Sequence, residues 1–541
     1  MTPLMTFVKA LIVLLLCTPM AFASVSSTNE FDQVLIGKNN NDKEIAIEWL
    51  VDNQPAATAK PILRAWLEGN LFYYKNKKSE DYQQLFIIAA RNGKQAESIW
   101  ESKQLVVSRS RDFAKVRVNN KLRSLIRVQL ASLGLNSPDA VIRLQAVDGL
   151  LGQTDGEIIK RFAAQLNVEP DTKVQQRLQL ALSVSTALDS SAPTPVRTAA
   201  VNTLSDYKQA IVLQTLNKLQ PQSLDPDLSA AVERGLDKYH QSQRLYSGVE
   251  TVFFGLSLGS VLVLAGIGLA ITFGVMGVIN MAHGELIMIG AYTTYVMQQL
   301  LPQQSGTALL LSIPMAFIIS GLVGIAIERS VIRHLYGRPL ETLLATFGIS
   351  LILQQAVRSI FSPLNRSVST PDWMAGAWEL NPMLSLTYNR LYIILFCALV
   401  FISMVMILKR TPLGLQVRAV SQNRAMARAM GIRSERVDAL TFGLGSGVAG
   451  VAGVALSQLT NVGPNMGQAY IIDSFMVVVF GGVGNLWGTL VAGLGLGLFN
   501  KLLEPWAGAV LAKILMLVFI ILFIQKRPRG LFPQRGRAAE S

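Results

Sequence analysis

Two hydrophobicity regimes share this chain. From residue 24 to about 243, apolar residues recur at helical spacing, as in KLRSLIRVQLASLGL at 121–135, and no apolar run approaches the length that crosses a bilayer. From residue 252 to 524 apolar runs dominate. The first regime predicts a largely α-helical domain over 24–243, and the second a polytopic membrane domain over 244–541. Apolar helices are expected at about 251–273, 284–300, 309–328, 342–357, 391–408, 439–459, 474–503 and 507–524.

Within the polar region, AVIRLQAVDGLL from residue 140, KVQQRLQLALSV from 173 and TPVRTAAVNTLSDY from 194 share an apolar start, a nearby Arg and an Ala-rich helix. Stacked helix pairs of the HEAT type would produce this theme, and so would an unrelated helical bundle. Residues 1–23 combine Lys9, an apolar stretch at 10–16 and small residues at Ala21 and Ala23, which reads as a secretory signal cleaved after Ala23. Retained as an anchor, it would still leave the following domain outside.

Basic residues then test the helix count. RSVIRHLYGR at 329–338, the loop at about 409–438 and KRPRGLFPQRGR at 526–537 should all face the cytoplasm. Eight crossings from an outer N-terminal domain would leave the last of these outside. The run at 474–503 is interrupted by Gly481, Gly482, Gly484 and Gly488, a turn-like cluster that lets two short helices form a hairpin. Nine crossings therefore fit.

A net charge of +14 is absorbed largely by these orienting segments, and no motif for nucleic acid accompanies it. Cys17 and Cys397 lie in apolar runs, so the polar domain between them holds no internal disulfide. No Gly-rich loop ends in Gly-Lys-Ser or Gly-Lys-Thr, and His240, His283 and His334 are scattered. Neither an enzyme nor a cofactor is expected.

Three segments carry candidate chemistry. INMAHGELIMIGAY at 279–292 sets Asn280, His283 and Glu285 within an apolar region, where a polar group faces protein or a watery cavity. These groups either meet a solute or satisfy backbone where a helix breaks. ETLLATFGISLILQQAVRSIF at 341–361 spaces Thr342, Thr346, Ser350 and Gln354 by four, one polar stripe suited to a pathway or to interhelical bonding. In SQNRAMARAMGI at 421–432, Ala425, Met426, Ala429 and Met430 form a ridge flanked by Arg424 and Arg428, with Gly431 as the helix stop. That ridge suits the groove of a cytoplasmic ATPase, or an anionic lipid surface.

INMAHGELIMIGAY, ATFGISLILQQAVR, LGLQVRAVSQNRAMARAMGI and VVVFGGVGNLWGTLVAGLGLG closely resemble, in this order, the permease family of branched-chain amino acid and urea ABC importers, over roughly residues 248–534. Within it, LILQQAVRSIFSPLNRSVSTPDWM and the helical extension of about 220 residues look most like the urea permease subunit. The resemblance implies a second homologous permease subunit, two cytoplasmic ATPase subunits, a periplasmic substrate-binding protein, and residence in the bacterial cytoplasmic membrane. It assigns ATPase contact to the loop at 423–432 and leaves ATP hydrolysis to the partners. The full Glu-Ala-Ala motif of the wider importer class is absent. Rival expectations are a branched-chain amino acid importer and a passive urea or amide channel with an attached helical domain. For urea, Asn280, Glu285 and Gln354 would accept from the amino groups, while Thr346 and Ser350 donate to the carbonyl.

Overall fold

A computed structural model describes residues 25–76, 79–88, 95–101, 103–107, 112–154, 156–220 and 225–532. The expected signal at 1–23, with Cys17, lies outside the described residues. The chain divides into two compact units, one through His240 and one from Gln241.

In the first unit, helices α1 (Thr28–Ile36), α2 (Asn40–Asn53) and α3 (Ala56–Glu68) precede five short strands: β1 (Leu71–Tyr74), β2 (Leu85–Ile87), β3 (Gln95–Ser98), β4 (Gln104–Val106) and β5 (Phe113–Lys115). They form one antiparallel sheet in the order β4-β3-β2-β1-β5. A largely helical domain was expected here, and the short sheet is an addition that the sequence did not announce. Strands of three or four residues carry too little period-2 signal to register. Phe31, Leu50, Trp66, Leu85 and Ile126 bury themselves in a core shared by the sheet and its helices.

Six helices follow: α4 (Asn120–Gly134), α5 (Ala140–Gly149), α6 (Gly156–Val168), α7 (Thr172–Leu188), α8 (Thr194–Leu204) and α9 (Ala210–Leu219). Asn119, Asp139 and Asp171 cap their helices, each side chain accepting from a first-turn amide. The repeated Arg has a structural meaning at two of its three positions. Arg143 turns inward to Glu169 at 2.6 Å, and Arg197 Nε donates to the Ala187 carbonyl at 3.1 Å. Arg177 instead pairs with Asp148 at 2.7 Å, nearer the surface.

Asp32 is buried in this unit, and its carboxylate accepts from Trp100 Nε1 at 2.8 Å. Desolvation pushes its pKa up to about 7, outweighing the hydrogen bonds that lower it. A carboxyl whose folded pKa lies above its unfolded value binds more protons when folded, so stability falls as pH rises from about 4 to 7. Asp32→Asn keeps the acceptor and removes the charge. It should raise the unfolding midpoint of the full chain at pH 8, by on the order of 1.4 kcal/mol per unit of pKa shift, and leave it little changed at pH 4. An equal effect at both pH values would refute the assignment.

The second unit makes the chain an all-α polytopic membrane protein. Helix α10 (Pro226–Met276) carries the chain into it. It continues through α11 (His283–Leu300), α12 (Ser305–Ser330), α13 (Pro339–Phe361), a hairpin of β6 (Ala377–Asn381) and β7 (Leu384–Thr387), and α14 (Tyr388–Arg410). Then come α15 (Pro412–Gln422), α16 (Arg424–Ala429), α17 (Ser434–Ser457), α18 (Met466–Gly481) and α19 (Leu486–Lys526).

Among the described residues, six helices are long and apolar enough to cross a membrane: α10, α12, α13, α14, α17 and α19. Nine crossings were expected, two of them the short helices of a hairpin. Polar residues dilute α11, and α18 has only 16 residues. Helix α19 holds two of the expected segments. Gly508 interrupts it at φ 77°, and Phe499 lies 5.4 Å from Phe519, whereas twenty residues of straight helix would separate them by about 30 Å. The chain folds back there. Expected helix 474–503 likewise divides, with α18 beginning earlier than anticipated, at Met466.

Helix α17 lies at the centre, almost wholly buried. Its glycines admit neighbouring backbones. A Cβ on Gly453 would overlap the Ile287 carbonyl of α11, and one on Gly445 would lie 2.6 Å from the Gly268 carbonyl of α10.

All three basic segments meet on one face. Arg333 pairs with Glu435 at 3.3 Å, and Val275 packs against the cluster of Val417, Val420 and Val437. Gly274 abuts Gly484, while the amides of Leu531 and Phe532 donate to the carbonyls of Phe480 and Gly481 at 2.9 and 3.2 Å. On the opposite face, Gln298 donates to the Ser369 carbonyl at 2.7 Å, and Arg366 and Val462 exchange backbone hydrogen bonds.

Candidate functional site

Helical structure stops after Met276 and resumes at His283, with Gly277 at φ 65°. Asn280 Oδ1 accepts from the Ala282 amide at 3.0 Å within this break. His283 Nε2 donates to the Ala265 carbonyl of α10 at 2.9 Å, tying α11 to its neighbour. Both side chains are wholly buried, and Asn280 Nδ2 and His283 Nδ1 have no partner among the described residues.

One turn into α11, Glu285 meets the polar stripe of α13. Its Oε1 accepts from Ser350 Oγ at 3.0 Å and from Gln354 Nε2 at 2.7 Å. Oε2 is buried without a partner, beside Gly467 of α18, where a Cβ would lie 2.8 Å away. Gly284 and Gly467 meet backbone to backbone beside this oxygen, so a side chain on Gly467 would strike both the Gly284 carbonyl and the carboxylate.

The stripe divides by role. Ser350 and Gln354 reach Glu285. Thr346 Oγ1 accepts from the Met281 amide at 3.1 Å and donates to the Leu343 carbonyl at 3.0 Å, and Thr342 donates to Arg338 O at 2.8 Å. Those two serve backbone. Arg358 is the next residue at the same spacing of four, and sequence reasoning stopped one step short of it. Its Nη2 donates to Asn465 Oδ1 at 2.7 Å, linking the outer end of α13 to the turn before α18.

On the basic face, α16 is a single short helix. Gly431 at φ 85° follows it, with Ile432 N bonded to Ala427 O and Gly431 N to Arg428 O, both at 3.0 Å, the paired bonds of a Schellman stop. Ala427 and Ile432 pack inward with Val417 and Val437. Arg424 and Arg428 also turn toward their own chain. Arg424 pairs with Asp438 and stacks 3.8 Å over Tyr336, and Arg428 Nε donates to Ser434 Oγ at 2.6 Å. Ala425 and Ala429 lie exposed with Met426 and Met430, whose side chains are 60% and 78% exposed.

At the other turn, α18 ends at Gly481 and α19 begins at Leu486. Gly482 and Gly484 take φ 104° and 80°, and Gly481 and Gly488 touch backbone to backbone. Asn485 caps α19, accepting from the amides of Trp487 and Gly488.

Residues 251–524 match the family described as branched-chain amino acid transport system / permease component. The chain belongs to that family. The permease is 29% identical over 300 residues to the high-affinity branched-chain amino acid transport system permease protein LivH of Escherichia coli K12, covering 54% of this chain and 97% of LivH. It is 30% identical over 302 residues to BraD of Pseudomonas aeruginosa, a high-affinity branched-chain amino acid transport system permease protein, covering 54% of this chain and 96% of BraD. To the probable branched-chain amino acid transport permease protein LivH of Methanocaldococcus jannaschii it is 26% identical over 283 residues, covering 50% of this chain and 88% of that protein. No solved structure matches significantly. Just over half of this permease matches nearly the whole length of LivH and BraD, and its remaining residues have no counterpart in those alignments. The permease is a transport subunit and not itself an enzyme.

Proposed function

We propose that the permease is the membrane subunit of an ATP-binding-cassette importer for urea, with its pathway past Glu285. One observation carries this reading. Glu285 Oε2 is a buried, unpaired acceptor on a carboxylate held by Ser350 and Gln354, beside the close backbone contact of Gly284 with Gly467. Urea, small and neutral, brings two amino groups to such an acceptor and a carbonyl to the second N–H of the Gln354 amide. The face on which the basic segments gather is cytoplasmic by the positive-inside rule, which sets residues 24–243 in the periplasm. A second, homologous permease subunit completes the pathway. Two ATPase subunits dock on the exposed Met426 and Met430 side of α16, and a periplasmic binding protein delivers urea. Closure of the ATPases on ATP moves α16, and the helices open first to one side and then to the other.

A second reading, a branched-chain amino acid importer, draws on the named transport of LivH and BraD. In it Glu285 receives the ammonium group. Accumulation of labelled urea, in urease-free cells lacking this chain and then complemented with it, separates the readings when leucine is measured in parallel. ATP-dependent urea accumulation restored by the intact chain is the expected result. Restoration of leucine alone would replace the cargo, and flux that never exceeds equilibrium would make the protein a channel.

A further inference from the structure

On the face opposite the basic segments, the ends of α11 and α13 border an open pocket of about 500 Å³, lined by Tyr295, Gln299, Ser359, Phe361, Ser362 and Arg366. That volume lies within the range of ligand pockets, about 300 to 1,000 Å³. Arg366 is held on two sides. Its backbone exchanges hydrogen bonds with Val462 at 2.7 and 2.8 Å, and its Nη2 donates to the Phe361 carbonyl at 3.1 Å. Nε, by contrast, is buried and has no partner among the described residues. A buried guanidinium N–H is costly to leave unpaired, so this donor is set for an acceptor that arrives from elsewhere. Ser362 adds backbone strain at the same wall, with φ 78° in a residue other than glycine.

Between this pocket and Glu285 stands a pair of rings. Tyr292 is 3% exposed, its hydroxyl is unpaired, and its ring lies 4.8 Å from that of Phe361. Glu285 and Tyr292 are seven residues apart on α11, as are Gln354 and Phe361 on α13. Two helical turns, about 10 Å, therefore separate the ring pair from the Glu285–Gln354 hydrogen bond on the same helix faces.

We infer that this pocket is a receiving subsite of the transport pathway. In it Arg366 Nε donates to the carbonyl or carboxylate oxygen of a small polar cargo, and the Tyr292–Phe361 pair closes the way to Glu285. The inference rests on the reading of Glu285 as part of the pathway. An oxygen acceptor belongs equally to urea and to an amino acid carboxylate, and Arg is the side chain suited to both.

The test uses the full chain in its complete importer, in membrane vesicles, with Ser359→Cys as a reporter on the exposed rim and a membrane-impermeant thiol reagent. Cys397 is buried and stays silent. Saturating urea should slow labelling by about fivefold or more, by simple occupancy. Arg366→Gln should abolish this protection while labelling without solute is unchanged, and Arg366→Lys should retain part of it. Protection that survives Arg366→Gln overturns the assignment. Protection by leucine and not by urea keeps the subsite and removes urea as cargo. ATP-driven urea uptake without protection by either solute sinks the subsite and leaves the transport reading standing.

Discussion

Glu285→Ala should reduce ATP-driven uptake per copy of the permease by about a hundredfold, the equivalent of roughly 2.8 kcal/mol. Two effects combine. Ser350 Oγ and Gln354 Nε2 lose their shared acceptor while remaining buried, at about 1–3 kcal/mol for each donor left unsatisfied. The free Oε2 that would receive the cargo disappears as well. Gln354→Ala removes one donor and leaves that oxygen in place, so its loss should be smaller, nearer tenfold or about 1.4 kcal/mol. Uptake normalised to the amount of chain in the membrane is the measurement. Near-normal transport by both variants would make the cluster an interhelical tie with no role in passage. A low chain level with normal transport per copy would lead to the same conclusion.

The second large effect is on assembly. Gly453→Val should prevent α17 from seating against α11, because even the first side-chain atom would overlap the Ile287 carbonyl and lie 2.7 Å from the Ala291 amide. Backbone cannot yield as a side-chain tip does, so the cost exceeds the usual overpacking penalty of about 1–3 kcal/mol. Gly348→Ala and Gly495→Ala meet nothing within 4 Å and serve as controls. The yield of monodisperse chain after mild detergent extraction should collapse for Gly453→Val and hold for the controls. A stable, monodisperse Gly453→Val chain would contradict the central position of α17.

The sequence exposed the membrane unit well, because apolar runs and basic flanks are local signals. Gly481 to Gly488 marked a real break for the same reason. What stayed hidden was tertiary. Glu285 and Ser350 are 65 residues apart, and no periodicity in either segment announces that they share a hydrogen bond. The stripe on α13 looked uniform, yet Thr342 and Thr346 bond to backbone while Ser350 and Gln354 do not. Arg424 and Arg428 looked like the solvated flanks of a ridge, and their partners Asp438, Tyr336 and Ser434 lie on other elements. The fold-back at Gly508 falls just past the gap between the expected helices 474–503 and 507–524, where Glu504 and Pro505 interrupt the apolar run. The five-stranded sheet was missed because its strands are too short to show alternation.

The attachment of Arg424 has a mechanical consequence. Its guanidinium is clamped between the Tyr336 ring, in the segment joining α12 to α13, and the Asp438 carboxylate, on the first turns of α17. A push on the outer side of α16 therefore cannot be lost in bending the loop. In the proposed importer it would arrive as torque on the most buried of the six long apolar helices and, through the Tyr336 segment, at the foot of the helix that bears Ser350 and Gln354. There α17, with glycine contacts as its bearing surfaces, would be the axle on which such a stroke turns.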